Sequence, residues 1–176
     1  PVMQGLTNAG FTNVHVVEKQ AIQDGDFPTV TYPNPESPAA FEMAVALGIE
    51  VSADLLLATD PDSDRLGVSV RTKDGYELLT GNQVGALVTD YLIQAKLEKK
   101  TLPFNAVLIK TIVTSELGAK IASRYNIGTI NTLTGFKYIA EKIHEFETTN
   151  NYSYLFGYEE SYGYLVKSYV RDKDAV

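Results

Sequence analysis

The sequence predicts an α/β chain built as two small α/β domains, each a mostly parallel, mixed sheet covered by helices. Three observations predict it. Short apolar runs of strand length alternate with stretches of helical periodicity. The helices fall between the strands, which is the order a parallel sheet requires. The pattern restarts near residues 77–81, which divides the 176 residues into 1–78 and 79–176. At 44% hydrophobic the chain has enough apolar surface for a core in each part.

In the first part, Phe11–Val17 ends in Val14, Val16 and Val17 and reads as a strand. Residues 23–37 read as loop, with Asp24-Gly25 and a proline-rich stretch from Tyr32 to Pro38. Ser37-Pro38 resembles an N-cap followed by proline at the first helical position. Phe41, Ala44, Val45 and Gly48 then follow at helical spacing, with Gly48 suited to the stop. The continuous apolar run Asp54–Ala58 reads as a strand buried on both faces. Leu66, Val68 and Val70 alternate with Gly67, Ser69 and Arg71, the pattern of a half-buried strand, and Lys73-Asp74-Gly75 turns the chain into Tyr76–Leu79.

In the second part, Val84, Leu87, Val88, Tyr91, Leu92 and Ala95 form a helical stripe. Ala106–Ile112 is the next strand. Ser115–Tyr125 reads as a helix with Leu117, Ile121 and Tyr125 on one face, and Ile127–Thr132 as a strand. Phe136, Ile139, Ile143 and Phe146 are spaced as a helix face, and Tyr154–Phe156 is a last buried strand entering a glycine-flanked loop.

The formal charge is −7, spread along the chain, which argues against nucleic acid and against a basic membrane-binding surface. No apolar run approaches the roughly 18 residues of a membrane span. The absence of Cys removes disulfides, Cys-ligated zinc and Cys nucleophiles, and a cytoplasmic setting is expected. Because the chain begins at Pro1 and stops just after a charged segment, it is expected to be a piece of a longer polypeptide.

The sharpest chemical feature is Thr59-Asp60-Pro61-Asp62-Ser63-Asp64-Arg65, where three carboxylates recur at every second residue just past a strand. Ligands of α/β sheets bind at that end. Three carboxylates in a small volume repel unless a cation sits among them, and Mg²⁺ suits oxygen ligands. Arg65 could fork onto a phosphate. An EF-hand would need Gly and Glu where Arg65 and Arg71 stand. A dehalogenase-type phosphatase pattern lacks the third Asp followed by Arg and survives only as a weak rival. On residues alone, a metal loop and a solvated acidic turn both remain open.

Other candidates are weaker. Lys137 opens a predicted helix, where a cation opposes the helix dipole unless an anion is shared with the backbone N–H groups; most lysines are simply exposed. Glu159 and Ser161 lie between Gly157 and Gly163, and their side chains can accept and donate hydrogen bonds to hydroxyls. Glu160 reads as a packing or pairing residue. Six of the 11 tyrosines fall between Tyr152 and Tyr169, in an alternation that reads as strand chemistry. Arg171 and Lys173 could bind phosphate.

Leu57–Gly67 resembles the metal-binding loop of the α-D-phosphohexomutase superfamily, the phosphoglucomutases and phosphomannomutases. Tyr32-Pro33-Asn34-Pro35-Glu36, Thr134-Gly135-Phe136-Lys137, Gly157-Tyr158-Glu159-Glu160-Ser161-Tyr162-Gly163 and Arg171-Asp172-Lys173-Asp174 resemble further motifs of that family, in the same order. The resemblance implies that residues 1–78 and 79–176 are the second and third of four domains. The first domain's phosphoserine loop and the last domain's phosphate loop have no counterpart in this sequence. It further implies an isomerase that moves phosphate between the C1 and C6 oxygens of a hexose through a phosphoserine and a hexose 1,6-bisphosphate, with the piece alone inactive. Asp60, Asp62 and Asp64 would hold Mg²⁺. Arg65 and Lys137 would be catalytic, and Thr134, Glu159, Ser161 and Lys173 would hold the hexose phosphate. The Glu-Glu-Ser form leans towards glucose without excluding mannose or pentose phosphates. The alternative is a non-catalytic metal- or sugar-phosphate-binding module.

Overall fold

A computed structural model describes residues 2–176, which divide into two compact units, residues 2–79 with 175–176 and residues 80–174.

The first unit contains helices α1 (Val2–Asn8), α2 (Glu18–Ala21) and α3 (Glu42–Val51), and strands β1 (Leu55–Thr59), β2 (Leu66–Thr72) and β3 (Gly75–Leu79). The strands pair in the order β1-β2-β3, both pairs antiparallel. The connections are residues 60–65 and 73–74, too short for the crossover a parallel pair needs. Parallel pairing is therefore confined to the second unit. The strand expected at Phe11–Val17 does not form. Those residues lie outside the sheet, and Val14, Val16 and Val17 are only half-buried.

Pro38–Phe41 forms a 3-10 turn after Ser37, whose side chain makes no capping bond, and α3 follows. Gly48 does not end α3. The helix runs on to Val51 and closes on Ser52 in the left-handed region, φ +55°. Gly48 instead allows close packing, because a Cβ there would lie 2.7 Å from a Leu56 methyl and 3.0 Å from the Tyr76 hydroxyl. In β1 only Leu56 is buried and Leu55 is exposed, so the strand is not covered on both faces. In β2 the small residues Gly67 and Ser69 are the buried ones, and the alternating Leu66, Val68 and Val70 are half-buried.

The second unit contains α4 (Gly81–Glu98), β4 (Ala106–Thr111), α5 (Leu117–Arg124), β5 (Gly128–Thr132), α6 (Phe136–Thr149), β6 (Ser153–Tyr158) and β7 (Tyr164–Leu165). Its sheet order is β5-β4-β6-β7. β4 pairs in parallel with β5 and β6, and β7 pairs antiparallel with β6. All six residues of β4 are buried. Side chains alternate across a strand, and β4 shows both faces in use. Val107 and Ile109 pack with Phe136, Ile139, Ile143 and Phe146 of α6. On the opposite face, Tyr158 of β6 lies against Gly85 of α4 and Gly118 of α5.

That contact explains a departure from the apolar stripes. The buried face of α4 is Gly81, Val84, Gly85, Ala86, Thr89 and Ile93, while Leu87 and Tyr91 stay 60% and 70% exposed. The buried face of α5 is Gly118 and Ala122, with Leu117 exposed. Both helices turn small residues inward because the Tyr158 ring fills the space. Thr80 caps α4 through a capping box with Gln83, its N–H bonding Gln83 Oε1 at 2.7 Å and its Oγ1 accepting from Gln83 N–H at 3.2 Å. Among the described residues, no helix is long and apolar enough to cross a membrane.

The Tyr158 contact generates a testable outcome. A Cβ on Gly118 would overlap the Tyr158 hydroxyl, with the next ring atom at 3.2 Å, whereas one on Gly85 would overlap ring carbons. Gly118→Ala and Gly85→Ala should each destabilise by about 1–3 kcal/mol in urea unfolding. Adding Tyr158→Phe should recover most of the loss at Gly118→Ala and little at Gly85→Ala. Equal recovery at both would refute the contact as described.

Candidate functional site

In the first unit the acidic loop is the connection from β1 to β2. Asp60 is buried at 3% exposure, Asp62 is exposed and Asp64 half-buried. Asp60 organises the loop. Its Oδ1 accepts the N–H groups of Asp64 and Arg65, each at 3.1 Å, and its Oδ2 accepts Arg65 Nε–H at 2.6 Å. Ser63 N–H donates to the Asp60 carbonyl at 3.0 Å, and Ser63 takes a left-handed φ of +58° that lets the chain reverse. Burial pushes the Asp60 carboxyl upward. Hydrogen bonds with Arg65 and Asp64, the Arg65 backbone N–H and the guanidinium charge more than offset this and hold it below the usual carboxylate value. Burial likewise acts to lower Arg65, but Asp60, Asp64 and Glu36 raise it on balance.

The Tyr32–Glu36 stretch meets this loop. Pro35 is buried against Gly67, where a Cβ would lie 2.7 Å from the Pro35 carbonyl. Asn34 Oδ1 accepts the Glu36 N–H at 2.9 Å, and Glu36 reaches Arg65 Nη1 at 3.4 Å. Arg65 thus spans Asp60 and Glu36, with Asp64 3.6 Å from its Nε.

One carboxylate oxygen each from Asp60, Asp62 and Asp64 lie within 4.8 Å of one another. Mg²⁺ with oxygens at roughly 2.0–2.1 Å sets opposite ligands about 4.2 Å apart, so small side-chain rotations would let all three reach one ion. The donors are all hard oxygens. Together with Arg65 the triad keeps a formal excess of two negative charges, which matches a divalent cation. The acidic triad can therefore hold a metal ion.

In the second unit three loops gather at the carboxyl ends of parallel strands, residues 112–116 after β4, 133–135 after β5 and 159–163 after β6. From β4 the chain goes to β5 on one side and then crosses to β6 on the other, so β4 ends at a topological switch point, where α/β sheets bind ligands. Residues 159–163 connect β6 to β7, closed by Glu159 N–H donating to the Gly163 carbonyl at 2.9 Å. Glu159 is buried at 4% exposure. Its Oε1 accepts the Gly135 N–H at 3.0 Å, and its Oε2 lies 3.6 Å from Lys173 Nζ. A Cβ on Gly163 would meet Lys173 Cδ at 2.6 Å, so that glycine makes room for the lysine. The structure thus brings together Glu159, Lys173 and the Thr134-Gly135 turn. Thr134 is exposed, and Ser161 is half-buried in the same loop as Glu159. Lys137, the second residue of α6, is exposed, with its Nζ 5.0 Å from the Tyr138 ring centroid. Arg171 bonds Glu147 and the Ser168 carbonyl.

Sequence reasoning missed a buried polar cluster beside these loops. Lys110, the fifth residue of β4, has a fully buried side chain. Its ammonium donates to the carbonyls of Thr111 at 3.3 Å and Thr114 at 3.0 Å and pairs with Glu116 at 2.8 Å. The hydroxyls of Thr111 and Thr114 lie 2.6 Å apart and reach Glu160 Oε2 at 3.2 and 3.0 Å. The signal was available. Lysine almost never sits fully buried without partners, and here it follows four consecutive apolar residues of a strand.

The family model for phosphoglucomutase/phosphomannomutase alpha/beta/alpha domain II matches residues 1–75, and that for domain III matches residues 80–176. Phosphoglucomutases of Staphylococcus haemolyticus (strain JCSC1435) and Staphylococcus aureus (strain USA300) are each 41% identical over 172 residues. Each alignment covers 97% of this chain and 30% of the relative. The chain therefore spans under a third of the length of these relatives. A solved phosphoglucomutase/phosphomannomutase family protein from Burkholderia thailandensis shares the fold, with a TM-score of 0.66 at 22% identity, covering 86% of this chain and 29% of that one. Matched along nearly its whole length, with the acidic loop in one unit and the glycine-flanked loop in the other, the chain belongs to the phosphoglucomutase/phosphomannomutase family.

Proposed function

We propose that this chain supplies the metal-holding and sugar-holding parts of a phosphohexomutase, an intramolecular phosphotransferase that interconverts hexose 1-phosphate and hexose 6-phosphate. The observation that carries the reading is the convergence of three carboxylates on one small volume, in a chain 41% identical to phosphoglucomutases over 172 residues.

In the first unit, Asp60, Asp62 and Asp64 would hold Mg²⁺. When bound, the ion supplies charge neutralisation for a transferring phosphoryl group. Arg65 keeps Asp60 ionised and aimed, and its planar fork suits a phosphate oxygen. In the second unit, Glu159 and Ser161 would accept and donate hydrogen bonds to ring hydroxyls. Lys173 and Thr134 would hold the phosphate end, and Lys137 would act as a phosphate contact or proton carrier. The substrates on this reading are a hexose monophosphate and hexose 1,6-bisphosphate. The phosphoserine donor belongs to a loop this sequence does not contain, so the 176-residue chain alone should give only background glucose 6-phosphate formation in a coupled assay. Robust turnover by the pure chain would refute that assignment of the donor.

Asp62 offers the cleanest test of the metal loop, because it is exposed while Asp60 carries the loop's internal hydrogen bonds. Asp62→Asn should weaken Mg²⁺ or Mn²⁺ binding in calorimetric titration by at least the roughly 10–100-fold that losing even an outer-shell partner costs elsewhere. Thermal unfolding should be unchanged. Wild-type affinity in the variant would remove the loop from the metal site.

Glu159→Ala in the full mutase polypeptide should lower the specificity constant about ten- to a hundred-fold, the scale of one charge-assisted hydrogen bond. The loss should appear with hexose 1-phosphate and hexose 6-phosphate alike. Metal affinity should stay as in the parent. Full activity in this variant would make Glu159 an ordinary loop carboxylate.

A further inference from the structure

We propose that Glu160 is a positioning residue for the sugar-holding loop, anchored by the paired hydroxyls of Thr111 and Thr114 on a turn that the buried Lys110 ammonium locks in place. The inference rests on reading Glu159 and Ser161 as the sugar-holding residues.

The turn comes first. Thr114 N–H donates to the Thr111 carbonyl at 3.1 Å. Lys110 Nζ donates to both carbonyls, at 3.3 and 3.0 Å, and forms an ion pair with Glu116 at 2.8 Å. Two of the three donors of the ammonium are thus spent on the turn's carbonyls, and its charge is paired with Glu116. With its side chain fully buried, Lys110 cannot exchange these partners for water. The turn at the carboxyl end of β4 is thereby held in one geometry.

The hydroxyls follow. Three oxygens, Thr111 Oγ1, Thr114 Oγ1 and Glu160 Oε2, lie within 2.6–3.2 Å of one another. The two hydroxyls carry two protons, so one donates to the other and the second donates to the carboxylate. Such a chain is polarised along its length by the charged acceptor, and each bond strengthens the next. Removing either hydroxyl ends the relay and leaves Glu160 with one unpolarised donor, at 3.0 or 3.2 Å.

The loop is the third part. The Glu160 backbone is confined from the other side by the start of α4, because a Cβ on Gly81 would overlap the Glu160 carbonyl oxygen. The next turn needs a left-handed residue, Tyr162, at φ +65°. Glu159 is held by the Gly135 N–H and its own closure onto Gly163. Two successive glutamates therefore point to two different anchors. Glu159 points to the turn after β5 and Glu160 to the turn after β4. Ser161, next in the chain, takes its place from both. A loop free at Glu160 would keep the Glu159 contact and lose the fixed spacing between Glu159 and Ser161.

The test uses the full mutase polypeptide that carries this chain, with glucose 1-phosphate and glucose 6-phosphate as substrates. Glu160→Ala and the near-isosteric Thr114→Val should each raise KM about tenfold for both substrates, the scale of one hydrogen bond to a charged group, with kcat changing far less. Glu160→Gln, which keeps an acceptor oxygen, and Thr114→Ser, which keeps the hydroxyl, should restore most of the parent KM. Mg²⁺ affinity should not move. A lowered melting temperature with parental KM in Thr114→Val would show a merely structural cluster and overturn the proposal. So would failure of both conservative variants to rescue. If Glu160→Ala does not fold, Thr114→Val with its Ser counterpart decides alone. Absence of turnover by the parent would remove the sugar-phosphate reading itself, whereas parental kinetics in the variants of an active parent would remove only the role of Glu160.

Discussion

Much of the second unit depends on burying one ammonium. Lys110 stands near the carboxyl end of β4, one of the two inner strands, with no exposed side-chain surface. An unpaired charge there would cost several kcal/mol. The structure meets that demand by folding the next four residues back, so that two carbonyls and the Glu116 carboxylate surround it. The turn that results presents Thr111 and Thr114 to the loop after β6. A requirement of charge solvation thus shapes the backbone at the switch point of the sheet, where this architecture offers room for a ligand.

The first unit solves a related problem with the opposite sign. Asp60 is nearly as buried, and it is satisfied by two backbone N–H groups and the Arg65 guanidinium. Arg65 compensates one carboxylate strongly and draws Glu36 towards the loop. Asp62 and Asp64 bring the remaining negative charge. A rigid, ionised Asp60 with two more carboxylates close by is a preorganised oxygen cluster, and a divalent ion lowers its repulsion. In both units the candidate loops follow strand ends, but the first is a hairpin connection and the others are strand-to-helix and hairpin loops of a parallel core.

The elements most legible in the sequence were those whose burial depends on large apolar side chains. Phe136, Ile139, Ile143 and Phe146 are all buried at the spacing that predicts α6. Where small residues carry the contact, the pattern misleads. On α4 and α5, Gly85, Gly118 and Ala122 face inward against the sheet, and Leu87, Tyr91 and Leu117 remain exposed. A glycine contributes little to any hydrophobic count, yet it decides which face can approach an aromatic ring. The valines of residues 11–17 have strand propensity but no neighbouring strand, and pairing is a property of two segments.

By itself the sequence determined the α/β class, the two-part organisation of its pattern, and the chemical identity of the Asp60–Asp64 and Gly157–Gly163 segments. These are local properties: composition, period and motif lie within a few residues of one another. Only the tertiary structure decided that β1, β2 and β3 pair antiparallel, that Glu36 meets Arg65 across 29 positions, and that Glu160 meets Thr111 and Thr114 across 49 and 46. Those contacts follow from which strands stand side by side and from how each buried charge is satisfied. The energy of satisfying a buried charge depends on every segment that converges on it, and no local stretch of sequence contains that sum.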